Sequence, residues 1–469
     1  MRKYIITLCI TLLATTPLFA QFPASVLSPT DKIYGLSKFW QEVNYNFVYI
    51  TRIDRRTWDN AYKAMIPQVL ATPDDYTYWR LMAKFCALLH DGHTNVYMPG
   101  ALYGNILTKM FGPYWFGTEN IGGKAIITHT LKSRLKEIPI GSEVIEVNGL
   151  TTAQYLADSV KPYIASSTEY VRDDWAIGNL LQGPSGASYK IKIRRPDGSI
   201  LPLELTHQQT KDTAFFPALE GGHDLLELRW YEKDIAYLAL NSFGNQKIDS
   251  LFITRLPELY KAKALIIDLR GNGGGSTDIG TAILHYLSKD TVFPSSRSYT
   301  REHLAAFKAW GVFTKPFDTL WSDWSKRSWH YNHDEVMHDF GAESDTVHLN
   351  AQRLIVPTAV LFGHNTASAA EDFLIAASGQ KHFTYIGDRS FGSTGQPYQF
   401  DLPGGGSARV CTKKDTWPDG KEFVGYGIIP AITVTPTLDD FVAHRDPVID
   451  KSLDYLRQQL KQPKTTAKK

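Results

Sequence analysis

The stretch FGHNTASAAEDFLIAASG, Phe362 to Gly379, places Ser368 where an apolar, strand-like run (LIVPTAVLFG) gives way to a helical pattern. Free backbone N–H groups and the positive end of the helix dipole converge at such an entry. They stabilise negative charge on a serine oxygen and on a tetrahedral intermediate beside it. The other role open to Ser368, or to Thr366, is a plain helix N-cap. A second feature bears on the choice. IIDLRGNGGGS ends another apolar strand in a loop holding Gly271, Gly273, Gly274 and Gly275. Glycine lets backbone N–H groups turn toward a ligand with no Cβ in the way. The loop lacks the Gly-Lys-Ser/Thr ending of a phosphate loop and the spacing of a dinucleotide fingerprint. An oxyanion hole and a tight strand-to-helix turn remain as its two readings.

The elements that must position these residues follow from periodicity. From about Pro29 to Leu89 apolar residues recur at three and four spacing, with Asp74 and Asp75 as a start signal for the third helix. This predicts an N-terminal helical domain over 21–100, ending at HDGHTNVYMPG. From 101 to 210 short alternating strands take over, including a hairpin through the Asp-Gly turn of RRPDGSI. From 211 to 460 unbroken apolar strands alternate with helices, the pattern of a mostly parallel α/β sheet buried on both faces. Chemistry on such a sheet is expected at the carboxyl ends of its strands. A segment near 296–350 with Trp310, Trp321, Trp324 and Trp329 has the length of a lid or substrate-binding insertion. A packed structural excursion is its other reading.

Taken in order, ALIIDLRGNGGG, TAVLFGHNTASAAEDF, GDRSFGSTGQP and VGYGIIPAITV resemble the motifs of the C-terminal processing (tail-specific) serine peptidases, in the branch of the tricorn core and the interphotoreceptor retinoid-binding relatives. The resemblance implies a crotonase/Clp-like α/β catalytic core. The segment IPIGSEVIEVNGLTTAQYLAD is similar to a PDZ domain, with Ser142 and Glu143 departing from its usual pattern, and implies a PDZ-like β-rich domain that handles peptides. A β-rich linker without a ligand is the alternative there.

Residue by residue, the resemblance puts the nucleophile on Ser368. It gives the oxyanion hole to the N–H of Ala369 with that of Gly273 or Gly274, and a structural role to Glu371. One branch of the family takes its base from a lysine in Phe-Gly-Lys-Gly, but FGSTG has Ser393 there. The tricorn-like branch takes it from a histidine early in the chain, and LLHDGHTNVY puts that role on His93, with His90 and His364 as rivals. A neutral imidazole suits acceptance of a hydroxyl proton and its return to a leaving amine. The acid behind the base falls on Glu422 in DGKEFVGYGIIP. That branch has a serine before its histidine, where this chain has Gly92, and Ser393 is the candidate to replace it. Ala431 departs from the usual aspartate.

The expectation is an exported serine peptidase acting on peptides or proteins through a Ser nucleophile and a His base. Two readings compete with it: a non-catalytic peptide- or lipophile-binding protein on the same scaffold, and a small-molecule esterase. At 469 residues, 43% hydrophobic and 21% charged, the chain has an ordinary globular composition. Its net charge of +2, dispersed, carries no footprint for nucleic acid. Residues 1–20 read as a signal peptide and imply a periplasmic or extracellular location; 461–469 form a basic tail. Cys86 and Cys411 remain after signal removal, as one bridge or two buried thiols. No zinc-ligand spacing occurs, so neither a metal nor a cofactor is expected.

Overall fold

A computed structural model describes residues 25–461 apart from 220 and 350; the expected signal peptide and the basic tail beyond 461 lie outside the described residues. Ser28 starts the first helix, its hydroxyl accepting the Asp31 N–H at 3.1 Å ahead of Pro29. Asp74 does the same for the third, accepting the Thr77 N–H at 2.7 Å. The helices are α1 (Pro29–Asn46), α2 (Arg55–Leu70) and α3 (Asp75–Ala87), followed by a short strand β1 (Asn95–Tyr97). Next come β2 (Tyr114–Ile121), β3 (Lys124–Leu131), β4 (Glu143–Val147), α4 (Glu169–Gly178), β5 (Ser188–Arg194) and β6 (Ile200–Thr206). The third part opens with β7 (Leu226–Glu232), β8 (Ile235–Leu240), α5 (Lys247–Leu259), β9 (Ala264–Asp268) and α6 (Thr277–Leu287). It continues through β10 (Arg297–Arg301), α7 (Ala305–Gly311), α8 (Asp323–Asn332), β11 (Met337–Gly341), β12 (Thr358–Phe362) and α9 (Ala369–Ala377). It closes with β13 (Phe383–Gly387), β14 (Pro397–Asp401), β15 (Ser407–Cys411), β16 (Lys413–Thr416), β17 (Ile432–Thr433) and α10 (Pro447–Lys461).

The central sheet runs β7-β8-β9-β12-β13-β17, with β7 antiparallel to β8 and every later pair parallel. Every residue of β8, β9 and β12 is buried, which is why these strands read as unbroken apolar runs. Helix α10 covers one face with Val448, Ile449, Leu453 and Leu456. The other face joins α5, α6, α9 and the helices α1–α3 in one continuous apolar core, in which the Trp58 and Phe85 rings stack at 4.2 Å. The antiparallel sheet β6-β5-β4-β3-β2 has its own core, built on Ile127, Val144, Ile191 and Ile193. Its β5–β6 turn uses Gly198 at φ +86°, a left-handed conformation that suits glycine.

The crotonase/Clp-like core expected from the sequence is not the one adopted. Two small sheets tie distant segments around the central one: β1 pairs with β15 beside β14, and β10 joins β11 to β16. Alternating apolar strands and helices specify a buried parallel sheet, a pattern that many folds share. The wrapping by residues 25–97 is set by which faces meet, and local periodicity does not encode that. In the Trp-rich insertion α7 and α8 form a helical hairpin, with the Trp310 and Trp324 rings 4.2 Å apart and Phe313, Leu320 and Trp321 largely exposed. Cys86 and Cys411 are both free buried thiols, and burial pushes both up from their ordinary pKa.

Candidate active site

Three strand ends of the central sheet converge. After β9 comes the glycine loop, after β12 the turn to Ser368, and after β13 the loop carrying Ser390 and Ser393. Backbone bonds lock them together: Ala367 N–H to Asn272 O at 3.1 Å, Phe391 N–H to Thr366 O at 2.9 Å, and Ser368 N–H to Ser393 O at 3.2 Å. Ser368 stands at the N-cap position of α9 with φ +56° and ψ −125°, a region that a side chain rarely enters. Glu371 N–H bonds the Ser368 carbonyl at 2.7 Å, so the backbone takes part in the cap. The hydroxyl lies 3.3 Å from His93 Nε2. The other ring nitrogen, Nδ1, is 2.7 Å from Ser393 Oγ.

His93 is only 8% exposed, and burial holds its pKa down at about 4, with the Arg409 cation adding to the effect. The ring is therefore neutral at working pH, the form a base requires. The segment before it is tied down by Ser167, whose hydroxyl accepts the Gly92 N–H at 2.9 Å and donates to Asp91 at 3.2 Å. A Cβ at Gly92 would lie 2.7 Å from the Phe391 ring and 3.0 Å from Ser393 Oγ. A serine at 92 and one at 393 would thus compete for the same space.

Gly274 presses its Cα against Ser368; a Cβ there would lie 2.7 Å from Ser368 Cβ. Its own N–H is already bound to Asn272 Oδ1 at 2.9 Å. Among the described residues, the Gly273 and Ala369 N–H groups have no hydrogen-bond acceptor, and a Cβ on Gly273 would meet nothing within 4 Å. Both therefore remain available as donors, which an oxyanion hole requires.

The structure brings Ser368, His93, Ser393, Gly273, Gly274 and Ala369 together and leaves Glu422 apart. Glu422 accepts from Arg52 at 3.0 Å and from Lys414, with no hydrogen bond to His93. Burial raises its pKa, but Lys414 and Arg52 outweigh that and hold the carboxylate below its usual range. His90 lies at 3.4 Å from Arg172, and His364 at 2.5 Å from Asp174; neither bonds Ser368. Glu371 is fully buried and accepts four bonds: Ser390 Oγ at 2.6 Å, and the N–H groups of Gly392 at 2.8 Å, Ser393 at 3.2 Å and Ser368 at 3.2 Å. Burial pushes it up to about 8, and the four donors pull the other way.

Sequence reasoning missed Asn272, Ser390 and the start of α4. Asn272 is buried and braces the glycine loop through Leu240 O at 2.9 Å; an asparagine among glycines is the signal for such backbone bonding. Tyr170 and Thr168 hold the Ser393 loop through Ser390 O at 2.6 Å and Phe391 O at 3.1 Å. No local pattern marks those two. Among the described residues no group of three or more His, Cys, Asp or Glu could hold a metal ion.

A strained serine at a strand-to-helix turn, a buried imidazole at its hydroxyl and two free N–H groups beside it define a hydrolase site of the serine type. Residues 234–434 match the model of peptidase family S41, and the chain is a serine-type peptidase that hydrolyses peptide bonds. It is 21% identical over 427 residues to a carboxyl-terminal-processing protease of Picosynechococcus sp., covering 90% of this chain and 88% of that one. Among solved structures it is similar to mature CPAF, at 14% identity and a TM-score of 0.64 over 92% of this chain and 96% of that one. Mature CPAF complexed with lactacystin matches at 15% identity and a TM-score of 0.63, over 92% and 97%. This whole-length likeness corrects the fold expectation: the chain has the peptidase S41 fold seen in CPAF, in place of a crotonase/Clp-like one.

Proposed function

We propose that Ser368 is the nucleophile of this peptidase, His93 its base and then its acid, and Ser393 the group that orients the ring. The observation that carries this is the unbroken chain from Ser368 Oγ to His93 Nε2 at 3.3 Å and from His93 Nδ1 to Ser393 Oγ at 2.7 Å. In the productive tautomer Nδ1 donates its proton to Ser393, which leaves the Nε2 lone pair facing the hydroxyl. Ser368 Oγ bonds the scissile carbonyl carbon while its proton passes to Nε2. The oxygen of the tetrahedral intermediate accepts from the Gly273 and Ala369 N–H groups. The imidazolium then gives its proton to the leaving amine, and water releases the acyl group by the same route in reverse.

The cleft of the PDZ-like segment supports a peptide-holding role. A cavity of about 350 Å³ there is lined by Lys124, Lys161 and Arg194, paired with the lining carboxylates Glu143 and Asp173, among Val144, Leu156 and Ile177. Export to a periplasm or the cell exterior fits the apolar run before Ala20, and no helix among the described residues is long and apolar enough to cross a membrane. Ser368→Ala is expected to abolish peptide hydrolysis and fluorophosphonate labelling with an unchanged circular dichroism spectrum. Full hydrolysis by that variant would remove Ser368 from the mechanism.

A further inference from the structure

His93 hangs from a turn that no helix or strand supports. Helix α3 ends at Ala87 and β1 starts at Asn95, and among the described residues no N–H of residues 91–94 donates to a backbone carbonyl. Side chains hold this turn instead, and they converge on one carboxylate. Asp91 is 2% exposed; its Oδ2 accepts from Thr94 Oγ1 at 2.6 Å and its Oδ1 from Ser167 Oγ at 3.2 Å. The first bond spans His93, from the residue two before it to the residue after it, and the second reaches out to the turn before α4.

Each hydroxyl has a further bond that fixes its role. Ser167 Oγ accepts the Gly92 N–H at 2.9 Å, and Thr94 Oγ1 accepts the Cys411 N–H at 3.0 Å. A hydroxyl carries one proton, so both protons go to Asp91, and only a group that accepts at both oxygens can take them. Arg409, on β15, closes the turn: its Nε donates to Asn95 Oδ1 at 2.8 Å and its Nη2 to Gly92 O at 3.4 Å. Asp91, Gly92, Thr94 and Asn95 are thus all bound, and the His93 ring is left to meet Ser368 and Ser393. A buried carboxylate is costly unless its oxygens are bonded, and what these bonds secure is the turn that carries the ring.

We propose that Asp91 is a positioning residue for the base, the acceptor that sets where the His93 ring stands relative to Ser368, with Thr94 and Ser167 as its two arms. It rests on the reading of His93 as the base. Ser393 holds the ring at Nδ1, and Asp91 holds the backbone that delivers it. A displacement of about 1 Å between reacting groups costs on the order of 10²-fold in rate. Asparagine at 91 would keep the shape of the side chain but offer one accepting oxygen, so one hydroxyl would lose its acceptor and that side of the turn would be freed.

The test measures kcat and KM of the full chain on a peptide substrate, with folding checked by circular dichroism, in Asp91→Asn, Thr94→Val, Thr94→Ser, His93→Ala and the Asp91→Asn/His93→Ala double variant. Asp91→Asn is expected to lower kcat about 10- to 100-fold with KM within about twofold. Thr94→Val, which removes the hydroxyl at nearly constant volume, lowers kcat by about 10-fold or more, and Thr94→Ser brings it back to within about threefold of the parent. In the His93→Ala background Asp91→Asn changes the residual rate by less than about twofold, because a residue that acts through the ring has nothing to act on once the ring is gone. A merely structural carboxylate would lower the rate alike in both backgrounds, and that result overturns the proposal, as does parent-like kcat in folded Asp91→Asn. If Asp91→Asn does not fold, the Thr94 pair decides: a loss in valine that serine restores supports the proposal, and equal rates overturn it. An active His93→Ala overturns both this proposal and the base assignment beneath it.

Discussion

Ser368, the glycine loop and Ser393 stand on three strand ends of one parallel sheet, joined by backbone bonds and by the Glu371 carboxylate. His93 comes from a segment 275 residues earlier, and side chains from the turn before α4, from β15 and from the Ser393 loop hold it. The nucleophile side is thus a product of sheet order, rigid wherever the sheet is formed. The His93 side depends on residues 25–97 and the segment before α4 docking onto the core. A site divided in this way would lose the proposed base, and keep the proposed oxyanion donors, whenever that docking loosens.

The comparison can be broken in order of effect. His93→Ala is expected to lower kcat by roughly 10³-fold or more while leaving the fold intact, because it removes the proton acceptor and nothing from the sheet; single-turnover kinetics would measure it. Glu371→Ala attacks the other side and leaves three buried donors without an acceptor, since the Ser368 N–H keeps Ser393 O. A loss of about 4 kcal/mol is expected in urea unfolding, with activity falling alongside stability. If that variant kept its stability and lost only rate, the carboxylate would belong to the chemistry rather than to the sheet.

The pH response separates the two sides further. His93 is neutral when folded down to about pH 4, whereas an unfolded histidine takes a proton near its ordinary value of about 6.5. Its contribution is complete above about pH 6.5 and is lost as pH falls toward 4, up to about 3 kcal/mol, because the unfolded chain binds the extra proton. Denaturation midpoints at pH 7 and pH 4.5 in parent and His93→Ala should differ in this sense. The acidic limb of kcat/KM should lie near pH 4. Ser393→Ala has the smallest effect, a loss of about 10- to 100-fold in kcat from a ring no longer held at Nδ1; a parent-like rate would mean that burial alone orients His93.

Legibility followed the same division. The glycine loop, the buried strands and the serine at the turn are all marked by local pattern, since burial on both faces and backbone freedom leave traces in residue type. Gly92 and Ser393 were legible only as departures from a family pattern. The structure explains them as one exchange, because a side chain at 92 would meet Ser393 and Phe391. Glu422 had the right residue type near the right motif, but Arg52, 370 residues away, and Lys414 engage it.

By itself the sequence determined the strands, the loop that can present N–H groups, the helix that starts at Ser368, and the serine at 393 where a lysine would stand. These depend on periods of two to four residues and on what glycine and serine do at chain turns. The tertiary structure alone decided that His93 reaches Ser368, that Ser393 and not Glu422 lies at its far nitrogen, and that the whole adopts the S41 peptidase arrangement rather than a crotonase-like one. The physical reason is distance along the chain. Contacts spanning 275 and 300 residues depend on which apolar faces pack together, and that choice is made by the assembled core.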